Sequence, residues 1–136
     1  MIKDKKIVYV GMDAMTDQVV SSAVGNAMLS DLVSVTGYLY NFGLDDPILS
    51  PPRICLHADE FNEIIGDEFI PFLNKARGVG FNVVTYTQTW SDVEARLSST
   101  AKAGQVAGNL NVVITFRTKE AKTVDMLLNQ LPTVPI

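Results

Sequence analysis

Two adjacent carboxylates end an apolar run in the stretch 54-ICLHADEF-61. The run before Asp59 and Glu60 is typical of a buried strand, and a buried carboxylate is costly unless a cation lies opposite it. Consecutive side chains of a strand point in different directions, so the two carboxylates can act on different groups. Asp59 can hold Mg²⁺ through water while Glu60 polarises a water molecule for attack.

This arrangement is typical of a Walker B element, in which the polarised water attacks the terminal phosphate of a nucleotide. The same pattern also occurs where a strand leaves a core and enters a helix, because acids are favoured near a helix N-terminus. Asp59 and Glu60 alone therefore leave both interpretations open.

Other polar residues lie where they can serve the same chemistry. Gln88 ends the run 81-FNVVTYTQ-88, where an amide can sense a phosphate or position water, and Arg77 lies on the helix before that run. Arg117 follows the last apolar run and is a weaker candidate for phosphate sensing. In the alternative interpretation, Gln88 merely caps a strand and Arg77 is a solvated charge favoured by the helix dipole.

His57 interrupts the apolar run two residues before Asp59, and so on the same face of the strand. A histidine satisfied by a neighbouring helix or backbone group is the simpler interpretation, and a role in metal binding or catalysis is the alternative. A lone histidine does not make a zinc site.

The elements that must position these residues alternate along the chain. Short β-branched or aromatic runs predict strands at 7–11, 53–58, 81–88 and 111–116. Amphipathic periodicity and capping signals predict helices at 16–43, 67–80, from 91 onward with Ser91 and Glu94 as a capping box, and at 119–131. The segment 98–109 is either a loop or a frayed helix.

Alternation of strands and helices predicts an α/β fold, a three-layer αβα arrangement whose mainly parallel sheet is covered on both faces. Ligands of such sheets bind beyond the carboxyl ends of the strands. The residues at those ends are Asp13, Asp59 and Glu60, Gln88, and Arg117. Polar groups are therefore expected to converge at one edge of the sheet.

Length and composition limit the functions that the chain can perform alone. Its 136 residues predict a single domain, and a composition of 47% apolar and 19% charged residues is that of a folded globular protein. A net charge of −4 without a basic stripe argues against strong nucleic-acid binding by this chain. One cysteine provides no disulfide framework, which favours a cytoplasmic setting, and we expect no membrane-spanning segment here.

Three stretches in this order resemble one protein family: 54-ICLHADEF-61, 76-ARGVGFNVVTYTQT-89 and 108-GNLNVVITFRT-118. The chain is similar to the distal half of the motor domain of TraG/TraD-type conjugative coupling proteins, which are RecA-like ATPases related to FtsK. It looks most like the TraD-like coupling factors of integrative conjugative elements. The stretches 7-IVYVGMDAMTD-17 and 25-GNAMLSDLVSVTGYLY-40 extend the resemblance over nearly the whole chain.

The resemblance implies a role for each candidate residue. Asp59 matches the aspartate associated with Mg²⁺, and Glu60 matches the catalytic glutamate. Arg77 matches the position of an arginine finger that reaches the nucleotide of a neighbouring subunit, and Gln88 matches a phosphate-sensing glutamine. ATP and Mg²⁺ are thus the implied cofactors of a full-length parent.

The chain departs from the family pattern because it has no GxxxxGK[ST] loop to cradle phosphates. We therefore expect residues 1–136 to be a fragment of the motor domain that binds no cofactor alone. In the family order, the strand before the missing loop lies between the strand at 81–88 and the last strand. We expect 111–116 to close that gap by pairing with 81–88, or another chain to fill it.

The resemblance also implies partners. The parent is expected to form a hexameric ring and to move DNA with its relaxase into a type IV secretion system. Its motor domain would be cytoplasmic and anchored in the bacterial inner membrane.

Two other classes of function remain as alternatives. A flavodoxin-like or receiver-like module also places acids at strand ends, and Asp13, Asp59, Thr85 or Thr87, and Lys119 fit that pattern in part. However, the first strand lacks the acidic pair of a receiver. The other alternative is a non-catalytic scaffold that uses the helix at 16–43 to pack against partners.

Overall fold

The structure is a computed structural model that describes residues 6–12, 17–43 and 54–131. In chain order these residues form α1 (Gln18–Phe42), β1 (Ile54–Ala58), α2 (Phe61–Ile64), α3 (Phe69–Ala76), β2 (Phe81–Thr85), α4 (Trp90–Leu97), α5 (Thr100–Asn109) and α6 (Ala121–Asn129). Asp13 lies outside the described residues, as do the prolines at 132 and 135 and the turn-rich segment 44–52, whose sequence predicts a linker.

Helix α1 confirms the long helix that the sequence predicts. Asp17 caps its first turn, because the carboxylate accepts a 3.0 Å hydrogen bond from the backbone N–H of Val20. Gly43, with φ of 69°, ends it and donates its N–H to the carbonyl of Leu39. The helix packs through Leu29 and through Gly25, which lies directly against a residue of α2.

By length and composition, α1 is also apolar enough to cross a membrane. Its most apolar window of 18 residues has a mean hydropathy of 1.3, and Asp31 is the helix's only charged residue. A core helix of a soluble protein meets the same criteria. The expectation that this chain holds no membrane-spanning segment therefore stays a prediction.

Strands β1 and β2 confirm two of the predicted strands and their parallel pairing. Their register runs from Ile54 opposite Phe81 to Ala58 opposite Thr85. Side chains of one face are buried or half-buried, whereas every second residue faces solvent. This alternation is the period-2 pattern of a sheet covered on one face only.

The covered face packs on a core of aromatic side chains from the following helices. Phe61, Phe69 and Phe72 are all at least 98% buried. The ring centroids of Phe69 and Phe72 lie 5.8 Å apart, and Phe72 meets Phe81 of β2 edge-on at 5.4 Å. Burial of each such side chain stabilises the fold by about 1.5–3 kcal/mol, so this cluster fixes β2 against α3.

The opposite face of the sheet is uncovered among the described residues. Its exposed side chains are Cys55, His57, Asn82, Val84 and Tyr86. The described part of the chain therefore forms a mixed α/β structure of two layers, in contrast to the three layers predicted. The described residues provide helices for only one face, so the three-layer arrangement stays a prediction.

The strands predicted at 7–11 and 111–116 are wrong for the described residues. Both segments lack regular structure, and Ile7 and Phe116 are 99% and 89% exposed. A β-strand needs a neighbour to take its backbone hydrogen bonds, and among the residues that the structure describes β1 and β2 pair only with each other. The expected pairing of 111–116 with the strand at 81–88 is therefore also wrong. Filling of the gap by another chain stays a prediction.

The shorter helices agree only in part with those predicted from the sequence. Helix α3 contains Pro71 in its first turn, where a proline is tolerated. It continues as a 3₁₀ turn over Arg77–Val79 before Gly80 turns the chain with φ of 85°. Thr89, rather than Ser91, caps α4, because its hydroxyl accepts the N–H of Asp92. The segment predicted as loop or frayed helix forms α5, capped by the Ser99 hydroxyl.

Candidate functional site

The carboxyl ends of β1 and β2 bring three predicted site residues to one edge of the sheet. Asp59 and Glu60 follow the last residue of β1, and Gln88 lies three residues beyond β2. Backbone hydrogen bonds continue past the strands, from Tyr86 N–H to the Ala58 carbonyl at 2.9 Å. A second bond returns from the Phe61 N–H to the Tyr86 carbonyl at 3.0 Å, which holds the two loops side by side.

Glu60 has a backbone conformation that non-glycine residues rarely adopt. Its φ and ψ are both 46°, in the left-handed region. This conformation costs an L-residue about 1–2 kcal/mol, and such strain is concentrated at functional sites. It allows the chain to turn from β1 into α2 within a single residue. Both carboxylates remain exposed at the turn.

Asp59 and Glu60 are available to a ligand. The Asp59 carboxylate accepts a 3.0 Å hydrogen bond from the N–H of Glu60, which orients it across the turn. Within residues 6–12, 17–43 and 54–131, neither carboxylate pairs with a lysine or arginine. The cation expected opposite them is thus not supplied by the described part of the chain.

Polar side chains next to the acids form a network that sequence reasoning missed. Thr87 donates its hydroxyl to the Asn62 amide oxygen at 3.2 Å, and Asn62 donates to the Glu63 carboxylate at the same distance. Gln18 of α1 donates to the other oxygen of Glu63 at 3.0 Å. The network ties α1 and the loop after β2 to α2, so it fixes the edge that carries Asp59 and Glu60. No sequence pattern relates Gln18 to Glu63, 45 positions apart.

Arg77 lies at the opposite end of the sheet. It lies four residues before β2, in the 3₁₀ turn Arg77–Val79. Its carbonyl accepts the N–H of Gly80, and the Gly80 carbonyl accepts the N–H of Ile54 at the start of β1. We call the edge with Asp59, Glu60 and Gln88 the acidic edge. The five-residue strands are about 16 Å long, and this length separates Arg77 from the acidic edge. The structure therefore does not bring Arg77 to Asp59 and Glu60 of the same chain. Its side chain is exposed and forms no ion pair with any described residue.

Arg117 is not positioned by the sheet. It lies in the extended segment between α5 and α6, which pairs with neither strand. Its side chain is exposed.

His57 pairs with an aromatic residue across the uncovered sheet face. Its Nδ1 lies 3.1 Å from the Tyr86 hydroxyl, and the two rings stack at an interplanar angle of 18°. A side-chain partner on the sheet thus satisfies His57, in place of the helix or backbone group expected. Both residues are exposed.

A second polar cluster joins α4 to α6 and lies away from the acidic edge. Glu120 caps α6 and also accepts the Ser91 hydroxyl at 2.8 Å, while the N–H of Trp90 donates to the Thr123 hydroxyl at 2.9 Å. The hydrogen bonds from Thr123, and then that from Ser91, lower the pKa of Glu120 to about 2. The pKa of Lys122 is raised by its pairing with Glu94.

An open pocket of about 620 Å³ lies beside this cluster. Its lining includes the hydroxyls of Ser91, Ser98, Ser99 and Thr100 and the Glu94–Lys122 ion pair. None of these residues belongs to the acidic edge, so the pocket and the predicted site are separate features.

The acidic edge suits one side of a magnesium–nucleotide site. Mg²⁺ is commonly held by one or two protein carboxylates together with substrate phosphates, and two exposed carboxylates meet that requirement. The described residues contain no cluster of three or more histidine, cysteine, aspartate or glutamate side chains that could hold a metal by themselves. The chain has no GxxxxGK[ST] loop, so the phosphates need a cradle from elsewhere.

Comparison with known proteins gives one match. Residues 53–133 match the model of a family described as the TraM recognition site of TraD and TraG. No curated protein and no solved structure gives a significant match. The matched segment contains both strands, the acidic edge and all the helices from α2 to α6.

Proposed function

The chain belongs to the family of TraG and TraD C-terminal regions, and we propose that it supplies the Walker B side of the ATPase motor of a conjugative coupling protein. One observation carries the proposal. Within the matched segment, Asp59, Glu60 and Gln88 lie at a single edge of a parallel sheet, with Glu60 at a strained turn. Ligand sites of parallel sheets occur at this edge.

Each of the three residues has a role that follows from its chemistry. Asp59 holds Mg²⁺ through water, with its carboxylate oriented by the N–H of Glu60. Glu60 polarises and orients a water molecule, and Gln88 senses the phosphate from the neighbouring strand. The bound ATP and its Mg²⁺ supply the phosphoryl group and the positive charge that the described part of the chain does not place there.

The position of Arg77 supports a role between subunits. Because it lies at the end of the sheet away from Glu60, it can complete a nucleotide site only on a neighbouring chain. A closed ring of head-to-tail contacts places each subunit's far end against the next subunit's site. The proposal therefore includes a homo-oligomeric ring, hexameric in the parent, with Arg77 as the finger. Arg117 has the weaker proposed role of a second phosphate sensor.

A RecA-like, three-layer parent would explain why the described residues leave several apolar surfaces exposed. The uncovered sheet face and the exposed runs at 7–10 and 112–116 are apolar surfaces of the kind that a larger domain buries. In the proposal, residues 1–136 are one part of that motor domain. The parent supplies the phosphate loop, the adjacent strand and an anchor in the inner membrane that leaves the motor cytoplasmic.

The family description also supports the biological role. It names TraM recognition by TraD and TraG, so we infer a protein of the DNA-processing complex, the relaxosome, as a partner. The parent would couple ATP hydrolysis to transfer of the relaxase–DNA complex through a type IV secretion system. This chain's net charge of −4 assigns DNA contact to other parts of the parent.

Conjugative DNA transfer tests the proposed function. Cells carrying the parent gene with Glu60→Gln are expected to lose transfer, because the amide cannot polarise the attacking water. Asp31→Asn is the control, since Asp31 is an exposed carboxylate of α1 that lies outside the matched segment. Transfer at the wild-type frequency with Glu60→Gln and normal protein levels would contradict the proposal.

A further inference from the structure

A side-chain hydrogen bond joins the loop that carries Glu60 to the loop that carries Gln88. The Thr87 hydroxyl donates to the Asn62 amide oxygen at 3.2 Å. We propose that Asn62 and Thr87 are positioning residues, which hold Gln88 at a fixed distance from Glu60 for the attack of water on the nucleotide. This inference rests on the proposed function and adds two residues to it.

The side chains of Glu60 and Gln88 are themselves free. Neither forms a side-chain hydrogen bond or an ion pair with any residue that the structure describes, and both are exposed. The place of each side chain is therefore set by the backbone that carries it. Thr87 directly precedes Gln88, and Asn62 follows Glu60 by two residues. The hydrogen bond between Thr87 and Asn62 thus acts on the backbone next to both.

The loop after β2 is held at two points, with Gln88 between them. Before Gln88, the N–H of Tyr86 donates to the Ala58 carbonyl at 2.9 Å. After it, Thr89 caps the first turn of α4 with its hydroxyl. Thr87 lies between these two points, and its hydroxyl ties the intervening stretch to the loop after β1. The backbone of Gln88 is thereby fixed relative to the acids while its amide stays available to a ligand.

The amide of Asn62 is oriented by its other partner. Its nitrogen donates to one oxygen of Glu63 at 3.2 Å, and Gln18 of α1 donates to the other oxygen at 3.0 Å. A carboxylate accepts hydrogen bonds, so the nitrogen of the Asn62 amide faces Glu63 and its oxygen faces Thr87. Asn62 is half-buried. An acceptor held in this way is already in place before substrate binds, which is what positioning requires.

Loss of this hydrogen bond should affect turnover and leave nucleotide affinity nearly unchanged. A displacement of about 1 Å in a reacting or positioning group can lower the rate about a hundredfold. Without the hydrogen bond, Gln88 can move relative to Glu60, and kcat is expected to fall about tenfold. The KM for ATP is expected to change less than about twofold, because the phosphate loop of the parent supplies the main phosphate contacts.

DNA-stimulated ATP hydrolysis by the purified parent tests the inference. Thr87→Val removes the hydroxyl and keeps the branched shape, so kcat should fall about tenfold. Thr87→Ser keeps a hydroxyl donor and should turn over at close to the wild-type rate. Thr100→Val is the matched control, since Thr100 is an exposed threonine of α5 away from the acidic edge.

A second comparison separates positioning from a general loss of stability. If Thr87 acts through Gln88, then Thr87→Val should have no further effect on kcat in a Gln88→Ala parent. A substitution that only destabilises the fold would lower kcat equally in both backgrounds. The same fall in the two backgrounds would therefore overturn the inference.

The hydrogen bond itself can be measured on residues 1–136 without turnover. Asn62→Ala and Thr87→Val remove the same hydrogen bond, so the fall in urea midpoint of the double variant should be smaller than the sum of the two single falls. Additive falls would show that the two side chains are not coupled, and the inference would fail.

The outcomes of the hydrolysis assay distinguish this inference from the proposed function. A reduced kcat in Thr87→Val with recovery in Thr87→Ser would support the inference. A wild-type kcat in Thr87→Val, beside lost turnover in Glu60→Gln, would overturn the inference and leave the proposed function standing. Wild-type turnover in Glu60→Gln would overturn both.

Discussion

At the level of single residues, the sequence predicts the two adjacent carboxylates but not the backbone conformation of Glu60. An apolar run ending in Asp59 and Glu60 predicts two carboxylates at a strand end, and the structure places both at the carboxyl end of β1. The left-handed conformation of Glu60 has no signal in residue type, because glutamate rarely adopts it. It arises from the turn between β1 and α2, whose hydrogen bonds link residues far apart in the chain.

The strain at Glu60 gives a stability prediction. Glu60→Gly should leave the isolated chain more stable than Glu60→Ala by about 1 kcal/mol, because alanine retains the cost of positive φ and glycine does not. Urea unfolding measures the difference. At the helical position Glu63 the same pair of substitutions should give the opposite order. A higher stability of Glu60→Ala than of Glu60→Gly would contradict the strain at Glu60.

Glu120 gives a prediction on pH. Its pKa is lowered from 4.5 to about 2 in the folded chain by hydrogen bonds from Thr123 and Ser91. A lowered folded-state pKa means that its stabilisation is complete above pH 4.5 and is lost as the pH falls towards 2. Thermal unfolding between about pH 5 and pH 2 should therefore show a smaller fall in Tm for Glu120→Gln than for the wild type. Parallel curves for the two proteins would contradict this assignment.

At the level of secondary-structure elements, the sequence predicts the helices and strands whose signals are local. It does not predict whether a strand finds a partner strand elsewhere in the chain. Helix α1 and the pair β1 and β2 carry their own capping residues or apolar runs, and they form as predicted. The runs at 7–11 and 111–116 carry equally strong strand signals but remain unpaired among the described residues. Strand formation needs a hydrogen-bonding neighbour, which a single run does not reveal.

The contact between α1 and α2 gives a prediction with an internal control. A Cβ at Gly25 would lie 2.5 Å from the Ile64 side chain, whereas a Cβ at Gly37 of the same helix meets nothing within 4 Å. Gly25→Ala should lower the free energy of unfolding by about 1–3 kcal/mol through overpacking. Gly37→Ala should raise it by up to about 1 kcal/mol through helix propensity. Equal effects of the two substitutions in urea unfolding would contradict the packing described.

At the level of the whole molecule, the described residues contain one edge of the proposed site and a two-stranded sheet. The edge with Asp59, Glu60 and Gln88 is present, Arg77 lies at the opposite end, and no phosphate loop occurs in the sequence. The sequence predicted the first three together because parallel strands share a carboxyl edge. The same parallel pairing puts Arg77 at the other end of the sheet, because a residue that precedes β2 lies at the amino end of that strand.

Arg77 and Glu60 give a prediction about assembly. If the finger acts on the next subunit, rings mixed equally from Glu60→Gln and Arg77→Ala parents retain about one quarter of their interfaces with both groups intact. Such mixtures should recover ATP hydrolysis that neither variant shows alone. A mixture as inactive as its components would contradict the trans position of Arg77 and would leave the role of Glu60 untouched.

We propose above that this chain supplies the catalytic carboxylate of an ATPase. DNA-stimulated ATP hydrolysis by the purified parent, compared with its Glu60→Gln variant, measures this directly. We expect Glu60→Gln to reduce turnover at least about a hundredfold while nucleotide binding persists, because the lost group acts on the attacking water. The control Asp31→Asn should retain turnover. Unchanged hydrolysis in Glu60→Gln would contradict the claim.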